Sequence, residues 1–238
     1  MSRRFLCLGS LFAGCVILGL WGSQLSDAVA LIGYAALFIP WLMVVFGDDE
    51  PELLWIIVTA VGMRLSFLPS SPIFSDDIYR YLWDGHVAWA GINPYLYAPA
   101  STALDGLKEV WFWSKINHPD VPTVYPPGAQ FLFLVNVLVG GSLVSWRLIL
   151  MVSEGLCLLA VWRCLADTEV VSFKRFATYV SLCPLVVVES YWSGHLDILA
   201  WMPLIAGLGI YWFGKTKKDL VIAGLLVGAS IAVKFLGL

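Results

Sequence analysis

The sequence predicts an all-α polytopic transmembrane protein, and three observations carry that prediction. Of its 238 residues 60% are apolar and only 13% are charged, against about 25% charged residues in soluble domains. The apolar residues come in runs of about 16 to 20, close to what a helix needs to cross ~30 Å of hydrocarbon. Short polar turns separate the runs. Hydrocarbon offers no water to unpaired strand edges, so helices rather than a barrel follow.

Spans are predicted at about 5–22, 29–47, 53–69, 144–163, 176–191, 196–213 and 219–238. Between the third and fourth lies one long, mostly non-apolar segment, about 70–127, which divides the chain into N-terminal transmembrane helices (1–69), an outer loop (70–127) and a second helical module (128–238). All five cysteines fall in or beside apolar runs and read as small apolar residues, not as a disulfide framework. The N-terminal run stays apolar through Trp21, which favours an uncleaved anchor over an export signal. The chain stops at Leu238 inside an apolar run, so it looks C-terminally truncated.

Orientation follows from Lys and Arg in short loops. Arg3 and Arg4 place the N-terminus in the cytoplasm; Arg163, Lys174 and Arg175 mark a later cytoplasmic loop, and Lys215, Lys217 and Lys218 another. Three crossings then put the long loop outside. Parity demands one crossing between that loop and Arg163, yet two apolar runs are present, about 128–141 and 144–163. The first is short and interrupted by Gly140 and Gly141, so it is predicted to re-enter or lie at the interface. That choice brings the long loop, the turn Ser193–Asp197 and Lys234 to one extracytoplasmic face.

Three polar constellations sit on that face. In Ser75-Asp-Asp-Ile-Tyr-Arg-Tyr-Leu-Trp-Asp-Gly85, helical spacing would set Asp77, Arg80 and Asp84 on one side with Asp76 four residues before Arg80. Surface ion pairs on an interfacial helix would explain the same pattern. Next, Tyr125-Pro-Pro-Gly-Ala-Gln130 fixes the angle at which the chain re-enters apolar sequence and sets Tyr125 and Gln130 beside it. Third, Glu189-Ser-Tyr-Trp-Ser-Gly-His195-Leu-Asp197 brings two acids and an imidazole to a junction of helices, where charge is costly unless it faces a cavity or a partner. Arg64, Arg147 and Lys234 lie toward the same face, where they could hold an anion or snorkel outward. His86, His118 and His195 have no close metal-ligand spacing, so no cofactor is expected, with a divalent metal as the alternative.

Transfer of a sugar from a lipid phosphate needs a carboxylate to take the acceptor hydroxyl's proton and cations to hold the departing phosphate. Motifs of this chain resemble such an enzyme. SDDIYRYLWDG, GINPY, YPPGAQ, SGHLD and Lys234-Phe235 occur in the order seen in GT-C class polyprenyl-phosphate-sugar-dependent glycosyltransferases. The chain is similar to their bacterial mannosyltransferase-like branch and to the catalytic subunit of the first GPI mannosyltransferase. The resemblance runs from about residue 64 to the end.

It implies a GT-C type fold of about seven spans plus one re-entrant or interfacial helix. It also implies that an acid of the first large outer loop is the base: Asp77, or its neighbour Asp76. Asp77 is preferred because it keeps the family's spacing to Gly91–Tyr95; the adjacent acids depart from the GPI enzyme, where one residue separates them. Arg64, Arg80, Asp84, Tyr125, Gln130, Arg147, Glu189, His195, Asp197 and Lys234 are the expected substrate-binding residues. The expected reaction is inverting transfer of a hexose, mannose foremost, from a polyprenyl phosphate to a glycan, lipid or protein acceptor. The expected setting is the bacterial inner membrane, with the lipid bilayer as partner and no nucleic acid. A transporter or flippase of lipid-linked sugar, or an inactive fragment needing a C-terminal half, are the alternatives; a transporter should show repeat symmetry, and none is evident.

Overall fold

Leu8, Leu11, Cys15 and Leu18 recur at the three- and four-residue spacing of one helical face, and in the first helix, α1 (Arg3–Trp21), these are the residues turned inward. The rest of its surface is apolar too: Leu6, Phe12, Ile17 and Leu20 are exposed. A helix apolar on every side is suited to a lipid solvent. The second, α2 (Asp27–Val45), buries a single seam of Ala30, Leu37 and Val44 at seven-residue intervals. The third, α3 (Leu53–Ser66), packs Ile56, Thr59, Ala60, Met63 and Arg64 inward. Such close approach of α1 to α3 depends on Gly19, where a β-carbon would strike the Ser66 carbonyl.

This computed structural model describes residues 3–47, 50–165 and 172–235. All its regular structure is helical, with no strand among the described residues. Three helices are long and apolar enough to cross a membrane, Arg3–Gln24, Asp27–Val45 and Leu143–Leu165, while Leu53–Ser66, Pro127–Leu138 and Asp197–Phe213 are shorter apolar helices. The protein is an all-α membrane protein.

The segment after α3 is folded rather than loose. Its main element, α4 (Asp77–Trp89), buries nearly every residue from Ile78 to Val87, so it is a packed helix and not an interfacial one with a solvated charged face. Gly91, at φ +78°, ends it. Two short 3-10 turns, Thr102–Leu107 and Trp113–Lys115, carry the chain back over α4. Pro127 then opens α5 (Pro127–Leu138) at the position where proline's fixed φ suits a helix start.

At 12 residues, α5 is ~18 Å long and cannot cross ~30 Å of hydrocarbon. It folds back against α4, with Gly85 against the Phe133 carbonyl. Gly140 and Gly141, at φ +131° and +58°, reverse the chain into α6 (Leu143–Leu165).

The predicted span at 176–191 is divided. Pro184 cannot donate to the preceding turn, so the chain forms α7 (Phe173–Ser181), breaks, and resumes as α8 (Pro184–Val187). Val188–Trp192 continues α8 as a π turn, a feature often found at functional sites. Finally α9 (Asp197–Phe213) and α10 (Lys217–Val233) pair closely, the latter opened by a capping box between Thr216 and Asp219.

Polar contacts mark the two ends of this bundle. At one, Glu50 accepts from Arg4 Nη1 through its carbonyl (3.1 Å) and faces Lys174 (3.4 Å) and Arg175 (3.6 Å) through its carboxylate. At the other, Gly128 of α5 lies against the Ala232 carbonyl of α10, which brings the re-entry point beside the last turn of the final helix.

Candidate active site

That second end holds a cavity of about 390 Å³. Asp77 and Tyr81 line it from α4, Tyr125 from the re-entry turn, His195 and Asp197 from the α8–α9 turn, and Lys234 from the end of α10. Four segments distant in sequence therefore meet at one place.

Gly194 explains how the third of them reaches α4. Its φ of +83° suits glycine, and any β-carbon there would strike the Ile78 side chain. With nothing on that α-carbon, the turn closes against the residue next to Asp77. The imidazole then lies with Nδ1 2.8 Å from Glu189 Oε2. This hydrogen bond, opposed by partial burial, raises the His195 pKa above its ordinary 6.5.

Asp77 sits in the first turn of α4, partly buried. Its Oδ1 accepts from Asn117 Nδ2 at 2.6 Å, and among the described residues Oδ2 has no hydrogen-bonded partner. A carboxylate with one oxygen oriented and the other free has the geometry a general base needs. Asp76, by contrast, is exposed and does not line the cavity. Burial pushes the hydroxyls of Tyr81 and Tyr125 well above the usual phenol range, with the Asp77 charge adding to it, so both stay protonated donors near that carboxylate.

Lys234 Nζ donates to Asp197 Oδ1 at 2.6 Å. Both basic groups of the cavity thus already have an acid beside them, Lys234 with Asp197 and His195 with Glu189.

Other residues singled out from the sequence lie around this cavity without lining it. Arg80 does not stand between flanking acids. It pairs with Asp84 (2.9 Å) and reaches the Val121 carbonyl through Nη2 (2.8 Å). Gln130 Nε2 donates to Asp84 Oδ2 (2.9 Å) and Thr123 Oγ1 (2.8 Å). This buried set ties the 118–123 loop to α4 and α5, with His118 at φ +45°.

Arg64 and Arg147 do not face the cavity either. Arg64 is 4% exposed and Glu154 2%, and they pair at 2.5 Å, with Tyr191 donating its hydroxyl to the same carboxylate. Among the described residues Arg147 donates only to main-chain carbonyls, those of Leu68, Ser70 and Trp192. Of the three cations expected to hold an anion, Lys234 alone lines this cavity.

Asn117, Tyr81 and Glu154 were not singled out from the sequence. Tyr81 stands four residues after Asp77, which is a helical signal, and a lone acid in the apolar run of α6 calls for a partner. Asn117 lies in an irregular loop with no periodic signal.

A second cavity, about 490 Å³, opens between α8 and α9 along Leu185, Val186, Trp201, Met202 and Ile205 and shares His195 and Asp197 with the first. A third, about 440 Å³, lies among α3, α6 and α7 and shares no residue with either. No group of three or more His, Cys, Asp or Glu able to hold a metal occurs among the described residues.

The family described as alpha-(1->6)-mannopyranosyltransferase, N-terminal domain, matches residues 8–238. The chain belongs to this family. Among mannopyranosyltransferase relatives, alpha-(1->6)-mannopyranosyltransferase A of Mycobacterium tuberculosis is 26% identical over 229 residues, covering 90% of this chain and 41% of the relative. A probable alpha-(1->6)-mannopyranosyltransferase of Mycolicibacterium smegmatis is 27% identical over 194 residues, covering 78% of this chain and 29% of its own length. The chain thus spans well under half the length of the mannopyranosyltransferases it matches. No solved structure matches it.

Proposed function

We propose that this chain carries the base and the phosphate-binding groups of a membrane mannosyltransferase that uses a polyprenyl-phosphate donor. The observation that carries the proposal is a pair of neighbouring cavities that share His195 and Asp197 in their walls. A polar one brings Asp77, His195 and Lys234 together, and an apolar one leads away from His195 and Asp197 between α8 and α9. A donor with a charged phosphate between a sugar and a long apolar tail matches that division.

In the proposed step an acceptor hydroxyl oxygen attacks the sugar's anomeric carbon. Its proton passes to Asp77 Oδ2, and the bond from that carbon to the donor phosphate breaks. The phosphate leaves with the electron pair, held by Lys234 and the His195 imidazolium. One displacement inverts the anomeric centre, and positive charge building on the sugar is stabilised by the nearby carboxylates. The names of the relatives support mannose as the sugar and a 6-hydroxyl as the acceptor. Orientation by basic loop residues supports an extracytoplasmic site, and the relatives' sources support a bacterial inner membrane.

The test is transfer of labelled mannose from polyprenyl-phosphate mannose by membranes carrying the protein. Asp77→Asn should lower transfer about 10²–10⁴-fold, the usual contribution of a general base, while Asp76→Asn retains most of it. Normal rates with Asp77→Asn would rule out the base assignment. A lipid-linked sugar recovered unchanged on the opposite leaflet would replace the enzyme with a transporter.

A further inference from the structure

We infer that Arg147 is a positioning residue that fixes the distance between the Asp77-bearing and His195-bearing segments. This rests on the reading of their shared cavity as the transfer site. The guanidinium is 0% exposed, and among the described residues it has no carboxylate within ion-pair distance. Its bonds go instead to two stretches of backbone. Nη1 donates to the Leu68 and Ser70 carbonyls at 2.9 and 2.7 Å, on the segment that leads into α4, and Nη2 donates to the Trp192 carbonyl at 3.2 Å, three residues before His195.

Among the described residues no other hydrogen bond joins those stretches. Phe67 and Phe74 of the first pack against Trp192 of the second at centroid distances of 5.3 Å, but ring contacts permit sliding. The neighbouring α6 residue Trp146 donates Nε1 to the Gly194 carbonyl at 2.8 Å, so α6 holds the turn at two points while Arg147 also grips the other segment. A charge kept in an apolar helix without a counter-charge is costly and is retained where it has work to do. A planar guanidinium can serve carbonyls on two sides at fixed angles; a lysine ammonium is a single point and cannot reproduce that fork.

The test uses Arg147→Lys and Arg147→Met in the full-length protein in lipid nanodiscs, with two readouts. The first is amide hydrogen exchange at Ser70, Ser193 and His195, whose N–H groups donate to the Phe67, Val188 and Glu189 carbonyls. The inference expects exchange to rise at least about tenfold at all three together in both variants, with α1, α2, α9 and α10 unchanged. The second is steady-state kinetics. Misplacement of reacting groups by about 1 Å can cost about 10²-fold, so kcat should fall about 10–100-fold while the donor KM stays within about twofold.

An even rise along the whole chain, a rise in one segment alone, or an unchanged kcat in a variant with coupled exchange would overturn the inference. A raised KM at constant kcat would instead make Arg147 a donor ligand and overturn it as well. If the wild-type protein transfers no sugar, the functional reading falls, and the exchange pattern by itself decides whether Arg147 couples the two segments.

Discussion

Replacing Gly194 with alanine should separate the two causes that make glycine necessary at the α8–α9 turn. The backbone there is left-handed, at φ +83°, which costs an L-residue roughly 1–2 kcal/mol. The added β-carbon would also strike Ile78 Cδ1, and overpacking of this kind adds typically about 1–3 kcal/mol. The sum is a loss of roughly 2–5 kcal/mol. Ile78→Val removes that same Cδ1 atom at a cost of about 0.5–1.5 kcal/mol by itself.

In the double variant the severest part of the packing share is relieved, and the backbone share remains. The two losses should therefore fall short of additive by at least about 0.5 kcal/mol, the size expected of residues in contact. Thermal unfolding of purified protein in detergent, followed by tryptophan fluorescence across the four members of the cycle, measures this. Strict additivity would show that Gly194 and Ile78 do not touch, and the account of how His195 is brought to Asp77 would fail.

Three other outcomes follow from contacts around the cavity and the bundle core. The Glu189 bond raises the His195 pKa above 6.5, so the stability it gives is full below about 6.5 and lost as pH rises through the higher folded value; Glu189→Gln should flatten the fall in melting temperature over that window, and parallel curves for the two proteins would contradict the assignment. Lys234→Met should raise the donor KM roughly 10–100-fold, the worth of a charge-assisted bond, whereas Asp197→Asn, which frees Lys234, should lower it; opposite movements would remove Lys234 from the phosphate site. Glu154→Ala strands a buried Arg64 and should cost about 3–5 kcal/mol, while Arg64→Met with Glu154→Leu should recover most of that, as read by detergent-solubilised yield and melting temperature.

The membrane-helix architecture was legible because its cause is composition and length: apolar runs long enough to span are separated by short polar turns, and the run to Gly140-Gly141 is visibly too short to cross. The buried face of α1 was not legible, because that helix is apolar all round. The break in the fifth predicted span was half legible: Pro184 marks it, but Val-Val-Glu-Ser-Tyr-Trp carries no sign of the extra residue that makes a π turn. At the site, Asp77, His195, Asp197 and Lys234 were found as charged or titratable residues at helix ends. The roles of Arg64 and Arg147 were not, because most of the groups that answer them are main-chain carbonyls at Ser181, Leu68, Ser70 and Trp192, and every residue type offers a carbonyl. Asn117 was invisible for a related reason: only the folding of the 3-10 turns over α4 brings it to Asp77.

Because Lys234 and His195 are each engaged by an acid before any ligand arrives, a phosphate donor of the kind proposed would have to compete with Asp197 and Glu189 instead of dropping into a vacant positive field. Entry would then be an exchange of counter-ions and exit the reverse exchange, with the carboxylates reclaiming their partners afterwards. Such a pocket would grip the proposed donor's phosphate only moderately, a trait that would suit a carrier lipid released after each turnover.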